Sequence, residues 1–221
     1  LSITGDIENS NGKHLISKTC RYHLNYNGEI YNFHELEYKL RKANKGKYVN
    51  EYNNDSQVLV DLHEYFPVKE VPQLLDGMYA FSVYDNIENK LIMSRDIQGE
   101  KSLYFFEDDE IIIISSSIQP ILSIKPNLKI NKQLFKDYFR TRHFMFFKRT
   151  IYENVIQLLP GHTKQLDLNN LKWSTLIIQK LSNLVSPEMY TEMKEMSLDC
   201  LTDKLDSLMK NCISQMVPDR Q

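Results

Sequence analysis

The sequence predicts an α+β domain built on antiparallel strands, and three observations carry that expectation. Side chains alternate over 78–84, with Tyr79, Phe81 and Val83 on one face and Ala80, Ser82 and Tyr84 on the other. The polar stretch 86–89 then turns the chain into Leu91-Ile92-Met93, the signature of a hairpin. Upstream stand two segments of helical period. Antiparallel hairpins flanked by two helices fit the α+β class.

In chain order, Asn32 followed by Glu35 has the pattern of a capping box, and Phe33, Leu36 and Leu40 then share one helical face. Asp55 or Ser56 is the expected cap of a second helix whose inner face is Leu59, Leu62 and Phe66. Residues 102–106, the acidic turn 107–110 and residues 111–115 form a second hairpin. Asn131 is placed to cap a helix bearing Leu134, Phe135, Tyr138 and Phe139, and 140–149 reads as an aromatic, basic loop. Residues 176–187 show no consistent period and read as linker. From about Met189 a helical period returns, with Leu201, Leu205, Leu208 and Cys212 on one stripe.

Composition narrows the class. A chain of 221 residues holds one large domain, or a domain with an appendage, and 42% hydrophobic with 25% charged residues describes a soluble globular protein. The net charge of -2 offers no basic surplus for nucleic acid. The aliphatic run 111–114 is far short of the roughly 20 residues that cross a bilayer, so no membrane partner is expected. Cys20, Cys200 and Cys212 are odd in number and form no CxxC pair, which suits reduced thiols and a cytoplasmic location. The six histidines form no ligand-spaced cluster, so no metal site is expected here.

The chemistry is concentrated in Asn27-Gly28-Glu29-Ile30-Tyr31-Asn32 and in Asn54-Asp55-Ser56. An Asn side chain beside a flexible main-chain amide offers two converging N–H donors to a developing oxyanion. The carboxylates of Glu29 and Asp55 suit a substrate ammonium, so the set has the shape of a glutamine site. Each member has a plainer reading. Asn-Gly is a common turn, Glu29 a solvated turn residue and Asp55 a helix cap, and the separate pair Arg95-Asp96 reads as a structural ion pair at a strand end in preference to a direct substrate contact.

These words resemble the glutaminase domain of asparagine synthetases, class II (N-terminal-nucleophile) glutamine amidotransferases. The resemblance continues through Leu75-Asp76-Gly77-Met78-Tyr79-Ala80-Phe81, through Ser94-Arg95-Asp96 with Gly99 and Leu103-Tyr104, and through Thr150-Ile151-Tyr152-Glu153-Asn154-Val155 to Leu159-Pro160-Gly161-His162. It implies a four-layer αββα sandwich. It makes Asn27 and Gly28 the oxyanion hole and places Glu29 and Asp55 against glutamine. Leu1-Ser2-Ile3 resembles a stretch inside family members, so the nucleophilic cysteine, the carboxylate-binding arginine and the opening strands are expected upstream.

The ATP-pyrophosphatase loop, Ser-Gly-Gly-x-Asp-Ser, is likewise expected downstream. The division implied is a glutaminase domain over 1–172, a linker over 173–188 and the start of a synthetase domain over 189–221. Alone, this piece is expected to be inactive and to hold no cofactor. The parent ligase would take glutamine, aspartate and ATP with Mg²⁺, and a homodimer is among the assemblies to expect. Departures from the family wording fall at Gln57, Ser102, Ser117 and Gln119. Two other readings stay open: a different class II amidotransferase, and a non-catalytic amidotransferase-like domain serving binding or assembly.

Overall fold

A computed structural model describes residues 15–43, 52, 54–142 and 148–216. The Leu1-Ser2-Ile3 stretch and residues 143–147 of the basic loop lie outside them. Two antiparallel sheets organise the chain. The larger runs in the order β1-β2-β3-β4-β8-β9: β1 Leu15–Ile16, β2 Tyr22–Ile30, β3 Gly77–Asp85, β4 Lys90–Arg95, β8 His162–Asp167 and β9 Lys172–Ile178. The smaller has β5 (Tyr104–Glu107) between β6 (Ile112–Ser115) and β7 (Val155–Gln157). Both expected hairpins form, with Asp85 opposite Lys90 across the first turn and Glu107 opposite Ile112 across the second.

The alternation of β3 explains the layering. Tyr79, Phe81 and Val83 join a core with Leu36 and Leu40 of α1 (Phe33–Ala43) and with Val58, Leu59 and Leu62 of α2 (Asp55–Tyr65). Ala80 and Met93 point the other way and meet Leu103, Phe105 and Leu158 between the sheets. A third core, Phe106, Ile113 and Val155, packs the outer face of the small sheet against Ile121 of α4 (Gln119–Ile124). The order is therefore helix, sheet, sheet, helix, and both faces of each sheet are apolar because both are covered.

Local signals fared unequally. Asn131 caps α5 (Lys132–Thr141) as expected, its side chain accepting from Leu134 N at 3.1 Å. Asn32 stands at the start of α1, but its amide spans to the short helix α3 (Val71–Leu74) and the turn after it. Its Nδ2 donates to Leu74 O at 2.9 Å and its Oδ1 accepts from Asp76 N at 3.0 Å. β9 occupies Lys172–Ile178 and pairs with β8, so the large sheet continues into the stretch expected as linker. Beyond it come α6 (Pro187–Glu195) and α7 (Leu198–Met216), in which no residue is buried. Leu205 and Leu208 of the predicted stripe are 58% and 51% exposed.

Candidate active site

Asn27, Gly28 and Glu29 lie at the end of β2, opposite Ala80, Tyr79 and Met78 of β3. The side chain of Asn27 is exposed, whereas Glu29 is buried. Opposed residues of antiparallel strands share a face, so both belong to the Ala80 side of the sheet. Glycine is required at 28 by close approach. A Cβ there would stand 2.3 Å from Met78 O and 2.7 Å from Tyr79 Cα, both main-chain atoms that cannot swing away.

The direction of the Gly28 amide follows from its neighbour. Tyr79 spends both main-chain groups on Asp96: its carbonyl accepts from Asp96 N at 2.9 Å and its N–H donates to Asp96 Oδ2 at 3.3 Å. In an antiparallel pair the N–H and C=O of one residue point the same way, so Gly28 and Tyr79 form a non-hydrogen-bonded pair. Gly28 therefore directs its N–H away from β3, to the outer edge of β2. Ile30 has the same parity, and its N–H leaves that edge to reach Asp55 Oδ2 at 3.0 Å. β1 pairs with β2 only at His23 and Leu24, short of Gly28.

Asp55 is only 4% exposed and sits under this edge. Its Oδ2 also accepts from Tyr26 Oη at 2.6 Å. Burial raises its pKa, against the lowering pull of the Tyr26 hydroxyl and nearby amides. The capping role expected of Asp55 or Ser56 belongs instead to Asn54, whose Oδ1 accepts from Gln57 N at 2.9 Å. Asp55 is the first residue of α2, freed for its partners on β2. Glu29 is likewise raised, first by burial and then by the negative charge of Asp55, while Lys101 acts in the lowering sense. The sequence drew no attention to Tyr26 or Lys101. The signal for Tyr26 was its even spacing from Gly28 and Ile30 along one strand.

Arg95 and Asp96 are structural anchors, but not as a pair bonded to each other. Arg95 donates to three carbonyls: Lys101 O at 2.5 Å, Gly99 O at 2.6 Å and Leu158 O at 2.7 Å. Asp96 gathers main-chain N–H groups, with Gln98, Gly99 and Glu100 on Oδ1 and Lys101 and Tyr79 on Oδ2. Held on one carboxylate, these main-chain amides lose their freedom to swing. The loop 97–101 is thereby fixed beside the Gly28–Tyr79 pair. Gly99 adopts φ 74°, and a Cβ there would meet Pro160 Cγ at 2.6 Å. Among the described residues, no three His, Cys, Asp or Glu side chains gather as a metal site needs.

An Asn-Gly pair at the edge of a covered antiparallel sheet, with buried carboxylates beneath it, is an arrangement suited to amide chemistry. The chain matches the model of the glutamine amidotransferase domain over residues 1–176, and it belongs to that family. It is 32% identical over 147 residues to a putative asparagine synthetase [glutamine-hydrolyzing] 2 of Methanocaldococcus jannaschii, covering 65% of this chain and 27% of that protein. With asparagine synthetase [glutamine-hydrolyzing] 1 of Bacillus subtilis it shares 28% identity over 156 residues, 71% of this chain and 24% of the relative. The chain thus spans about a quarter of the length of these relatives. Glutamine phosphoribosylpyrophosphate amidotransferase from B. subtilis superposes with a TM-score of 0.49 at 16% identity, over 72% of this chain and 30% of that one.

Proposed function

We propose that this chain is the glutamine-hydrolysing part of an asparagine-synthetase-type ligase. Glutamine is cleaved to glutamate and ammonia, and the ammonia amidates an aspartate activated by ATP with Mg²⁺ in the synthetase part of a cytoplasmic, homodimeric protein. The observation that carries this reading is the outward N–H of Gly28 next to the exposed Asn27 side chain. Together they supply two donors to the oxygen of the glutamine amide when a nucleophile adds to its carbon and the oxygen becomes negative. Glu29 and Asp55 supply negative charge for the substrate ammonium, with Tyr26 holding Asp55 in place. Arg95 and Asp96 keep the frame rigid without meeting substrate. In this reading the glutaminase part extends through β9, beyond residue 172, and α6 with α7 opens the synthetase part.

The test is the full gene product carrying Asn27→Ala. Loss of one oxyanion donor typically lowers turnover by about 10²–10³. Glutamine-dependent asparagine formation is expected to fall on that scale, while ammonia-dependent formation stays near wild type. Equal loss with both nitrogen sources would reduce Asn27 to a structural residue and overturn the assignment.

A further inference from the structure

Tyr26, Gly28 and Ile30 alternate along β2, and Asp55 meets the first and the third of them. The Tyr26 hydroxyl donates to Asp55 Oδ2 at 2.6 Å, and the Ile30 N–H donates to the same oxygen at 3.0 Å. The carboxylate therefore brackets Gly28, whose N–H leaves the same edge between these two partners. Among the described residues β1 reaches β2 no further than Leu24, so over this stretch the first residue of α2 braces the edge where a strand would otherwise lie.

The two buried aspartates of the region share out their donors differently. Asp96 spreads five main-chain amides over both oxygens, as suits a group that holds a frame. On Asp55 both donors from β2 end on Oδ2, and among the described residues no other element donates to Oδ1. A charge-assisted O–H···O bond of 2.6 Å is short and directional, so with the Ile30 amide it settles which oxygen of Asp55 faces β2. The Tyr26 ring packs against the helix-side core, so its hydroxyl is aimed by packing and not by the carboxylate it meets. Burial, and then the charge of Asp55, raises the phenol above its ordinary range, and the hydroxyl stays a donor.

We infer that Tyr26 is a positioning residue of the glutamine site: with the Ile30 amide it occupies Oδ2 of Asp55 and thereby presents Oδ1 to the substrate ammonium. This rests on the glutaminase reading above, and adds which oxygen meets the ammonium and what sets it there. The ammonium contact is the same in the ground state and in the transition state, so its loss weakens binding without slowing the chemical step.

The experiment measures glutamate formation from glutamine, and product formation from ammonia, in the full gene product and in its Tyr26→Phe, Asp55→Asn and doubly substituted variants. Tyr26→Phe keeps the ring and removes the donor. It is expected to raise the KM for glutamine several-fold, with kcat and ammonia-dependent turnover near wild type. Asp55→Asn is expected to raise KM further. In the double variant Tyr26→Phe should then add little, because the charge it positions is already gone. If Tyr26→Phe leaves KM unchanged, slows turnover with both nitrogen sources, or adds its full effect to that of Asp55→Asn, Tyr26 does not act through Asp55. The inference then falls and the glutaminase reading stands. If Asp55→Asn itself leaves the glutamine KM unchanged, Asp55 is no part of a glutamine site and both fall.

Discussion

His63 places an acid-sensitive element at the centre of the helix-side core. Its ring is 3% exposed, lying 5.7 Å from the Tyr22 ring and 5.8 Å from that of Phe81. Its Nδ1 lies 2.9 Å from Leu59 O, and a carbonyl only accepts, so Nδ1 carries the proton and Nε2 the lone pair. Among the described residues Nε2 has no partner. Burial lowers the His63 pKa from 6.5 to about 4. The unfolded chain therefore takes up this proton first as the pH falls. Stability from this residue is complete above 6.5 and is lost as the pH drops toward the folded value. Linkage puts the loss at about 2 kcal/mol by pH 5 and about 3 kcal/mol by pH 4.

His63→Leu removes the titration and keeps an apolar side chain in the slot. Urea denaturation can be followed through Trp173, the one tryptophan, which packs against Phe105 and donates to Glu107 at 2.7 Å. At pH 8 the two proteins are expected to lie close together, because losing one weak hydrogen bond is offset by losing an unsatisfied buried nitrogen. At pH 5 the variant should be ahead by about 2 kcal/mol relative to that baseline. Parallel stability curves from pH 8 to pH 5 would refute the argument, since they would show His63 charging as readily in the folded chain as in the unfolded one.

Two further outcomes follow from the site. Gly28→Ala should cost about 3 kcal/mol or more, the upper range for forced overpacking, because its Cβ meets main chain at 2.3 Å; an unchanged urea midpoint would contradict the tight β2–β3 approach. Asn54→Ala should cost about 1 kcal/mol for a lost cap. Asp55→Ala should cost more, because it strands the half-buried Tyr26 hydroxyl and the buried Ile30 N–H. An Asn54→Ala variant with an unchanged midpoint would return the capping role to Asp55, and an Asp55→Ala variant that costs less than Asn54→Ala would contradict its hold on Tyr26 and Ile30.

Elements set by neighbouring residues were legible in the sequence, and those set by distant ones were not. The alternation of β3 and the Asn131 cap are local rules, and both appear where the residues put them. Asn54, Asp55 and Ser56 are all competent caps, so local rules leave the choice open. The choice is made by Tyr26 and Ile30, which claim Asp55 from another element. Arg95 and Asp96 are adjacent residues at the end of a strand, where successive side chains point to opposite faces, so bonding between them was never favoured. Their partners are main-chain groups of a folded loop, and main-chain groups leave no mark in a sequence. Residues 176–178 read as linker because an edge strand with little buried surface needs no alternation. For the site, the word Asn27-Gly28-Glu29 was enough to nominate it. The outward turn of the Gly28 amide depends on how Tyr79 is bonded, which only the fold supplies.

The many amides gathered on Asp96 bear on how mutational maps of this domain are interpreted. Besides the loop and Tyr79, this residue also fixes Gly161, whose N–H donates to Asp96 O at 2.8 Å. A screen scored on activity is therefore expected to return Asp96 and Arg95 as intolerant positions through the frame they hold. Intolerance of that kind is expected to spread to stability and to every substrate alike, whereas under the proposed function intolerance at Asn27 is confined to one nitrogen source. Scoring the same library twice, once with glutamine and once with ammonia, separates residues that hold the frame from residues that perform the chemistry.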